Sequence, residues 1–87
     1  MKNLTTFVAD KEIEIYHANA ITSGYGHKEI TVEVSYNGEY QKFTAITTNM
    51  PSYDAATELE GADKYHALYK IIEKQIIDNI AEWLENL

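Results

Sequence analysis

Residues 30–45, ITVEVSYNGEYQKFTA, decide the fold of this 87-residue chain. Asn37 and Gly38 separate two runs in which apolar and polar side chains alternate. Asn-Gly at this position predicts a β-hairpin with a type I′ turn, because both turn residues need a positive φ. A two-residue loop also fixes which residues of the two strands face each other.

The predicted register gives the hairpin two different faces. On the polar face, Glu33 is opposite Lys42 and Thr31 is opposite Thr44, and both are favourable cross-strand pairs. The other face is mainly apolar, as the alternation of the two runs requires. The hairpin therefore needs a second element to cover one side only.

The stretch before the hairpin also reads as a half-buried strand, but its alternation does not persist. Residues 12–16 alternate between polar and isoleucine positions, whereas His17 and Asn19 would fall on the core face if the phase continued. A β-bulge near residues 16–17 would instead pass the inward role to Ala18 and Ala20. The sequence leaves both alternatives open.

The C-terminal half is predicted to be helical. Pro51 suits the first turn of a short helix over residues 52–60, with Asn49 or Met50 at its cap and Gly61 as its end. Asp63 then caps a long helix that runs to about Asn86. Its apolar residues recur with a period near 3.6: Tyr65, Leu68, Tyr69, Ile72, Ile76, Ile80, Trp83, Leu84 and Leu87.

These elements predict a single α+β domain over residues 1–87. A three-stranded antiparallel meander packs on one long C-terminal helix that a short helix precedes, in the order β-β-β-α. Residues 1–11 are left as an extra edge strand or an arm. The second face of the sheet is expected to be open to solvent.

Composition limits the classes of function. The chain has 14 acidic residues against 7 lysines, no arginine and a net charge of -7. This balance argues against direct nucleic-acid binding, which needs Lys and Arg to replace phosphate counterions. Two interpretations of the acidity remain, namely solubility and a surface that engages a basic protein partner.

The sequence favours a cytoplasmic location and no membrane partner. No stretch approaches 18 consecutive apolar residues, and the first residues lack the apolar run of a signal peptide. The absence of cysteine excludes disulfides and thiolate metal sites.

No group of residues in the sequence predicts catalysis. We therefore expect that the protein is not an enzyme and that it has no catalytic residue, cofactor or metal site. His17, His27 and His66 fall on three different elements, without metal-ligand spacing. The serines lack a nucleophile elbow and a histidine partner. The Gly-Tyr-Gly loop at residues 24–26 precedes a strand rather than a helix N-terminus, so it does not predict a phosphate cradle.

The candidate contact surface is the open sheet face, together with the aromatic residue of the 24–26 loop. Seven tyrosines are more than a small core needs, and Tyr is enriched at interfaces. The predicted partner-binding residues are Glu12, Glu14, Tyr16, Tyr25, Glu29, Glu33 and Tyr40.

These features predict a small acidic, non-enzymatic protein-binding module. In size, acidity and lack of cysteine it resembles phage and mobile-element proteins that block host defence, such as anti-restriction and anti-CRISPR proteins; no sequence motif carries the resemblance. It implies an inhibitor that occupies the nucleic-acid groove of a host-defence enzyme. The alternative is a structural homo-oligomer, such as a homodimer, that pairs through its open sheet face or an edge strand.

Overall fold

The computed structural model describes residues 4–22 and 26–87, which form an antiparallel sheet of four strands and two helices. The elements are β1 (Leu4–Val8), β2 (Lys11–Thr22), β3 (Lys28–Tyr36), β4 (Glu39–Thr47), α1 (Met50–Thr57) and α2 (Gly61–Glu85). The strands lie side by side in chain order, as in a meander. The α+β class, the antiparallel sheet and the long C-terminal helix are confirmed.

The prediction of three strands is wrong, because β1 adds a fourth at the edge of the sheet. β1 pairs with β2 from Leu4 opposite Ile15 to Val8 opposite Lys11. Ala9 and Asp10 form the turn with φ values of 52° and 66°. Alanine rarely adopts a left-handed conformation, so the sequence lacks the Asn or Gly that normally marks such a hairpin.

The central hairpin has the predicted turn and register. Asn37 and Gly38 both have positive φ, at 53° and 86°. Glu33 lies opposite Lys42, and its Oε1 is 3.5 Å from the Lys42 Nζ. The hydroxyls of the predicted threonine pair, residues 31 and 44, are hydrogen-bonded at 2.9 Å.

A β-bulge interrupts β2, which settles the alternative that the sequence left open. The register between β2 and β3 shifts between Ile15 and His17. After the bulge, Ala18 lies opposite Val32 and is buried, and Ala20 is half-buried on the same face. The extra residue is Tyr16, which has no partner in the β2–β3 register. After it, Ala18 and Ala20 are the residues of β2 that face the core, as expected for a bulge.

The helices begin close to the predicted positions. The Asn49 side chain accepts a hydrogen bond from the Ser52 backbone N–H and caps α1, as predicted. The α1 helix ends at Thr57 rather than residue 60. The α2 helix begins at Gly61, which has a φ of 60°, rather than at Asp63, which lies in its first turn.

The core lies between α2 and one face of the sheet. At about 1.5 Å per residue, the 25 residues of α2 span about 37 Å, which matches the longest dimension of the molecule, 36 Å. Its buried residues are Ala62, Leu68, Tyr69, Ile72, Ile76, Ile80 and Leu84. They pack on the buried strand residues Val8, Ile13, Ile15, Ala18, Ile30, Val32, Val34 and Phe43. The α1 helix packs against α2, so both helices lie on the same side of the sheet.

In the described part of the chain, neither helix combines the length and the apolar character that a membrane crossing requires.

Tyr69 places a polar atom in the core. Its side chain is fully buried, and its hydroxyl forms no hydrogen bond of ordinary distance and angle with the described residues. The nearby Glu73 carboxylate is held by Lys70, whose Nζ lies 3.3 Å from it. Burial raises the pKa of Tyr69 most, and hydrogen bonding toward Glu73 and the negative charge of this residue raise the pKa further, because all three disfavour the phenolate.

We expect Ala9→Asn to raise the free energy of unfolding by about 0.5–1 kcal/mol, because Asn tolerates the left-handed conformation that Ala9 must adopt. The reverse change in the central turn, Asn37→Ala, should lower it by a similar amount. Urea denaturation of both variants provides the measurement. An unchanged midpoint for Ala9→Asn, beside a lower one for Asn37→Ala, would show that the first turn is not left-handed in solution.

We expect Tyr69→Phe to raise the free energy of unfolding by about 1 kcal/mol at neutral pH, because the change removes a buried hydroxyl that lacks a hydrogen bond of ordinary geometry. The unfolded tyrosine ionises near pH 10 and the folded one only at higher pH. Stability that is present below about pH 10 is therefore lost as the pH rises, and the variant escapes this loss. The gap between variant and wild type should widen above pH 10.

Urea denaturation between pH 7 and 11 measures this gap, with Tyr53→Phe, a half-buried tyrosine of α1, as the control. Parallel pH profiles for Tyr69→Phe and the wild type would contradict the prediction.

Candidate functional site

The side of the sheet opposite α2 is the candidate site, and we call it the open face. Alternation along the strands and the pairing between them place the same set of side chains on this side. The open face consists of Thr5, Phe7, Glu12, Glu14, Tyr16, Asn19, Ile21, Glu29, Thr31, Glu33, Ser35, Tyr40, Lys42, Thr44 and Ile46. These side chains are exposed or half-buried.

The structure brings together six of the seven residues that the sequence predicted as partner-binding. Those on the open face are Glu12, Glu14, Tyr16, Glu29, Glu33 and Tyr40. The seventh, Tyr25, lies outside the described residues. The register that was predicted for β3 and β4 is the reason why Glu29, Glu33 and Tyr40 share one side.

The charge on the open face is mainly negative. It carries the carboxylates of Glu12, Glu14, Glu29 and Glu33, and within residues 4–22 and 26–87 Lys42 is the cation that the register places among them. The Lys42 side chain is 71% exposed, so its ion pair with Glu33 is weakened by solvent. The face therefore presents a negative potential to an approaching molecule.

Apolar side chains interrupt this acidic surface. Phe7 is 67% exposed, Tyr40 62%, Ile21 54% and Ile46 45%. Ile21 and Ile46 flank Glu29 in one cross-strand row, and Phe7 lies opposite Glu12 at the other end. Aromatic residues such as Phe and Tyr are enriched at protein interfaces relative to the rest of the surface.

Sequence reasoning missed Phe7 and Ile21. Phe7 was missed because residues 1–11 were left as either an edge strand or an arm, since the Ala9–Asp10 turn lacks the Asn or Gly that normally marks a hairpin. Ile21 was missed because the bulge at Tyr16 reverses the alternation of β2, so Ile21 points outward with Asn19. Recognising the bulge would have identified it.

The bulge also builds the most structured part of the open face. Tyr16, the extra residue of the bulge, meets Tyr40 of β4, and the two rings pack edge to face with centroids 5.0 Å apart at an angle of 77°. Glu33 lies next to them on β3. The pKa of Tyr16 is raised, first by desolvation and then by the charge of Glu33 and a hydrogen bond to it.

A recess of about 860 Å³ lies between α1 and α2, on the helical side of the molecule. Ala55, Leu59, Ala67 and Ile71 form its apolar wall. Lys70, Glu73 and Lys74 also line it, and Lys70 and Glu73 are paired with each other at 3.3 Å.

The histidines do not form a metal centre. The His17 ring packs against the Tyr65 ring, with centroids 5.0 Å apart, and the centroids of the His66 and Tyr69 rings are 6.4 Å apart. Across residues 4–22 and 26–87, no group of three His, Asp or Glu side chains is arranged to hold a metal ion.

Comparison with protein-family models, with curated proteins and with solved structures finds no match for this chain. Its function has to be inferred from its own surface.

Proposed function

We propose that the protein is a small, non-enzymatic binding module whose open face docks on a basic protein partner. One observation carries this proposal: both helices cover one side of the sheet, while the other side combines four carboxylates with four large exposed apolar side chains. Solubility alone accounts for the carboxylates but gives no reason for the exposed Phe7, Ile21, Tyr40 and Ile46.

The two kinds of side chain have different roles in docking. The carboxylates attract a basic partner and orient it, mainly by speeding association. The apolar side chains lose water on contact and supply affinity. The strands hold both sets in fixed positions, so little conformational entropy is lost on binding.

The sharper form of the proposal is an inhibitor of a nucleic-acid-binding host-defence enzyme. Glu12 and Glu14 are two residues apart on β2, so they lie about 7 Å from each other along the strand. Carboxylates in such a row compete with phosphates for the Lys and Arg side chains of a nucleic-acid groove. The host-defence setting rests on the resemblance in size and composition to phage inhibitors.

We expect Glu12→Lys, Glu14→Lys and Glu29→Lys, combined in one chain, to abolish capture of basic proteins. The three changes reverse the sign of the open face but leave the Glu33–Lys42 pair intact. The measurement is affinity capture from a bacterial lysate at about 0.05 M and 0.5 M salt, since screening above about 0.15 M weakens contacts between exposed charges. Added double-stranded DNA should release the captured proteins.

The matched control is Asp78→Lys, Glu82→Lys and Glu85→Lys in one chain, which changes the net charge equally on exposed positions of α2. It should capture as the wild type does. Equal loss in both triple variants would show that net charge and not the open face drives binding. Capture that is indifferent to salt and to DNA would reject the inhibitor.

A homodimer is the second candidate, and the exposed edge of β4 favours it. β4 is the last strand of the described sheet, and it carries Tyr40 and Ile46. An antiparallel β4–β4 contact centred on Phe43 would place Tyr40 of each copy beside Ile46 of the other. One feature opposes it: the Gln75 side chain donates a hydrogen bond to the Ile46 carbonyl at 2.9 Å and occupies that backbone acceptor.

Light scattering distinguishes the two candidates. A homodimer should have twice the 9.9 kDa mass of the chain and should revert to a monomer in a Tyr40→Lys, Ile46→Lys variant. A monomer at all concentrations up to about 0.5 mM, well above ordinary dimer dissociation constants, would eliminate it.

A further inference from the structure

Tyr16, Tyr40 and Glu33 form a three-sided recess on the open face, which we call the aromatic corner. The two rings meet at 77°, so they make two walls at nearly a right angle. Glu33 closes the third side, and a recess of about 270 Å³ is lined by these three residues with Gln41 and Lys42.

The chemistry of the aromatic corner fits a cation. The face of a tyrosine ring carries negative charge density and attracts a cation placed over it. The Glu33 side chain is only 18% exposed, so its carboxylate is partly screened from water and interacts more strongly with a cation than a fully exposed carboxylate does. Two ring walls and one partly buried carboxylate are the elements of a cation receptor.

The protein already places one of its own cations there. The Lys42 Nζ is 3.5 Å from the Glu33 carboxylate, but the lysine side chain is 71% exposed. Because the lysine remains largely in water, this pair contributes little to stability, and another cation can replace Lys42. Lys42 therefore marks the position that a cation from another molecule would take.

Arginine suits this position better than lysine. A guanidinium is flat, so it stacks on a ring while its edge donates two hydrogen bonds to a carboxylate. An ammonium makes only a point contact with either group. The chain itself contains no arginine, so an intramolecular guanidinium cannot fill the corner.

We propose that the aromatic corner binds an arginine side chain of the basic partner, which displaces Lys42 from Glu33. The inference rests on the proposed function and identifies the contact that would anchor the partner. Buried arginine and tyrosine side chains are the residues most enriched among the energetically dominant contacts of protein interfaces.

The test uses Nα-acetyl-arginine amide and its lysine counterpart as probes, titrated into the isotopically labelled full chain and followed by NMR. The arginine probe should shift the ring signals of Tyr16 and Tyr40 and the backbone signals around Glu33. We expect it to bind roughly two- to fivefold more tightly than the lysine probe, the size of an exposed cation–π contact.

Matched variants separate the corner from general attraction to an acidic face. Glu33→Gln and Tyr40→Ala should each weaken arginine binding severalfold, whereas Glu29→Gln, which removes the same charge about 14 Å along β3, should not. Lys42→Ala should strengthen binding, because it removes the competing cation. The NMR spectra also show whether each variant is folded.

The proposal that the aromatic corner binds arginine would be overturned by either of two results. One is equal weakening of arginine binding by Glu33→Gln and Glu29→Gln, and the other is equal affinity for the arginine and lysine probes. The proposed function would survive that result if the triple charge reversal still abolished capture of the partner. If the corner binds arginine but the triple reversal changes nothing, the corner stands and the proposed function fails.

Discussion

The structure depends on the packing of α2 against one face of the sheet. The helix is long enough to cover this face from end to end, and its buried isoleucines and leucines meet the isoleucines and valines of β2 and β3. Each such side chain contributes about 1.5–3 kcal/mol when it is taken out of water. Residues 4–22 and 26–87 contain no second helix of this length, and their helices cover one side of the sheet. The open face is a consequence of this one-sided core.

The bulge in β2 gives the open face its chemical character. Without the extra residue, β2 would keep one phase throughout, and Ile21 would point toward the helix. With it, Ala18 faces the core and Ile21 joins Ile46 around Glu29, while Tyr16 at the bulge contacts Tyr40. Bulges often re-aim side chains near functional sites, and this one assembles an aromatic pair beside a carboxylate.

The two edge strands of the described sheet, β1 and β4, differ in how much unpaired backbone they expose. β1 is short, with five residues, so it offers a partner little backbone. β4 is longer, but Gln75 reaches from α2 to its Ile46 carbonyl, and Trp83 packs edge-on against Phe43 at 6.1 Å. Both contacts come from the helix that builds the core. Gln75 thereby occupies one backbone acceptor of the β4 edge, whereas neither helix covers the open face.

Local patterns in the sequence determined much of this protein. The Asn37–Gly38 turn fixes the β3–β4 register, and with it the Glu33–Lys42 pair and the shared side of Glu29, Glu33 and Tyr40. These features depend on neighbours in the chain, where turn chemistry and a period of two suffice.

Only the tertiary structure decided the rest. The β1 strand is held by its pairing with β2 across a turn that alanine alone would not favour, and the bulge was one of two phases that the sequence of β2 allowed. Burial of Ala18 against Val32 chooses between those phases. The contact of Tyr16 with Tyr40 also needed the tertiary structure, because β2, β3 and β4 must be in register before these side chains can touch.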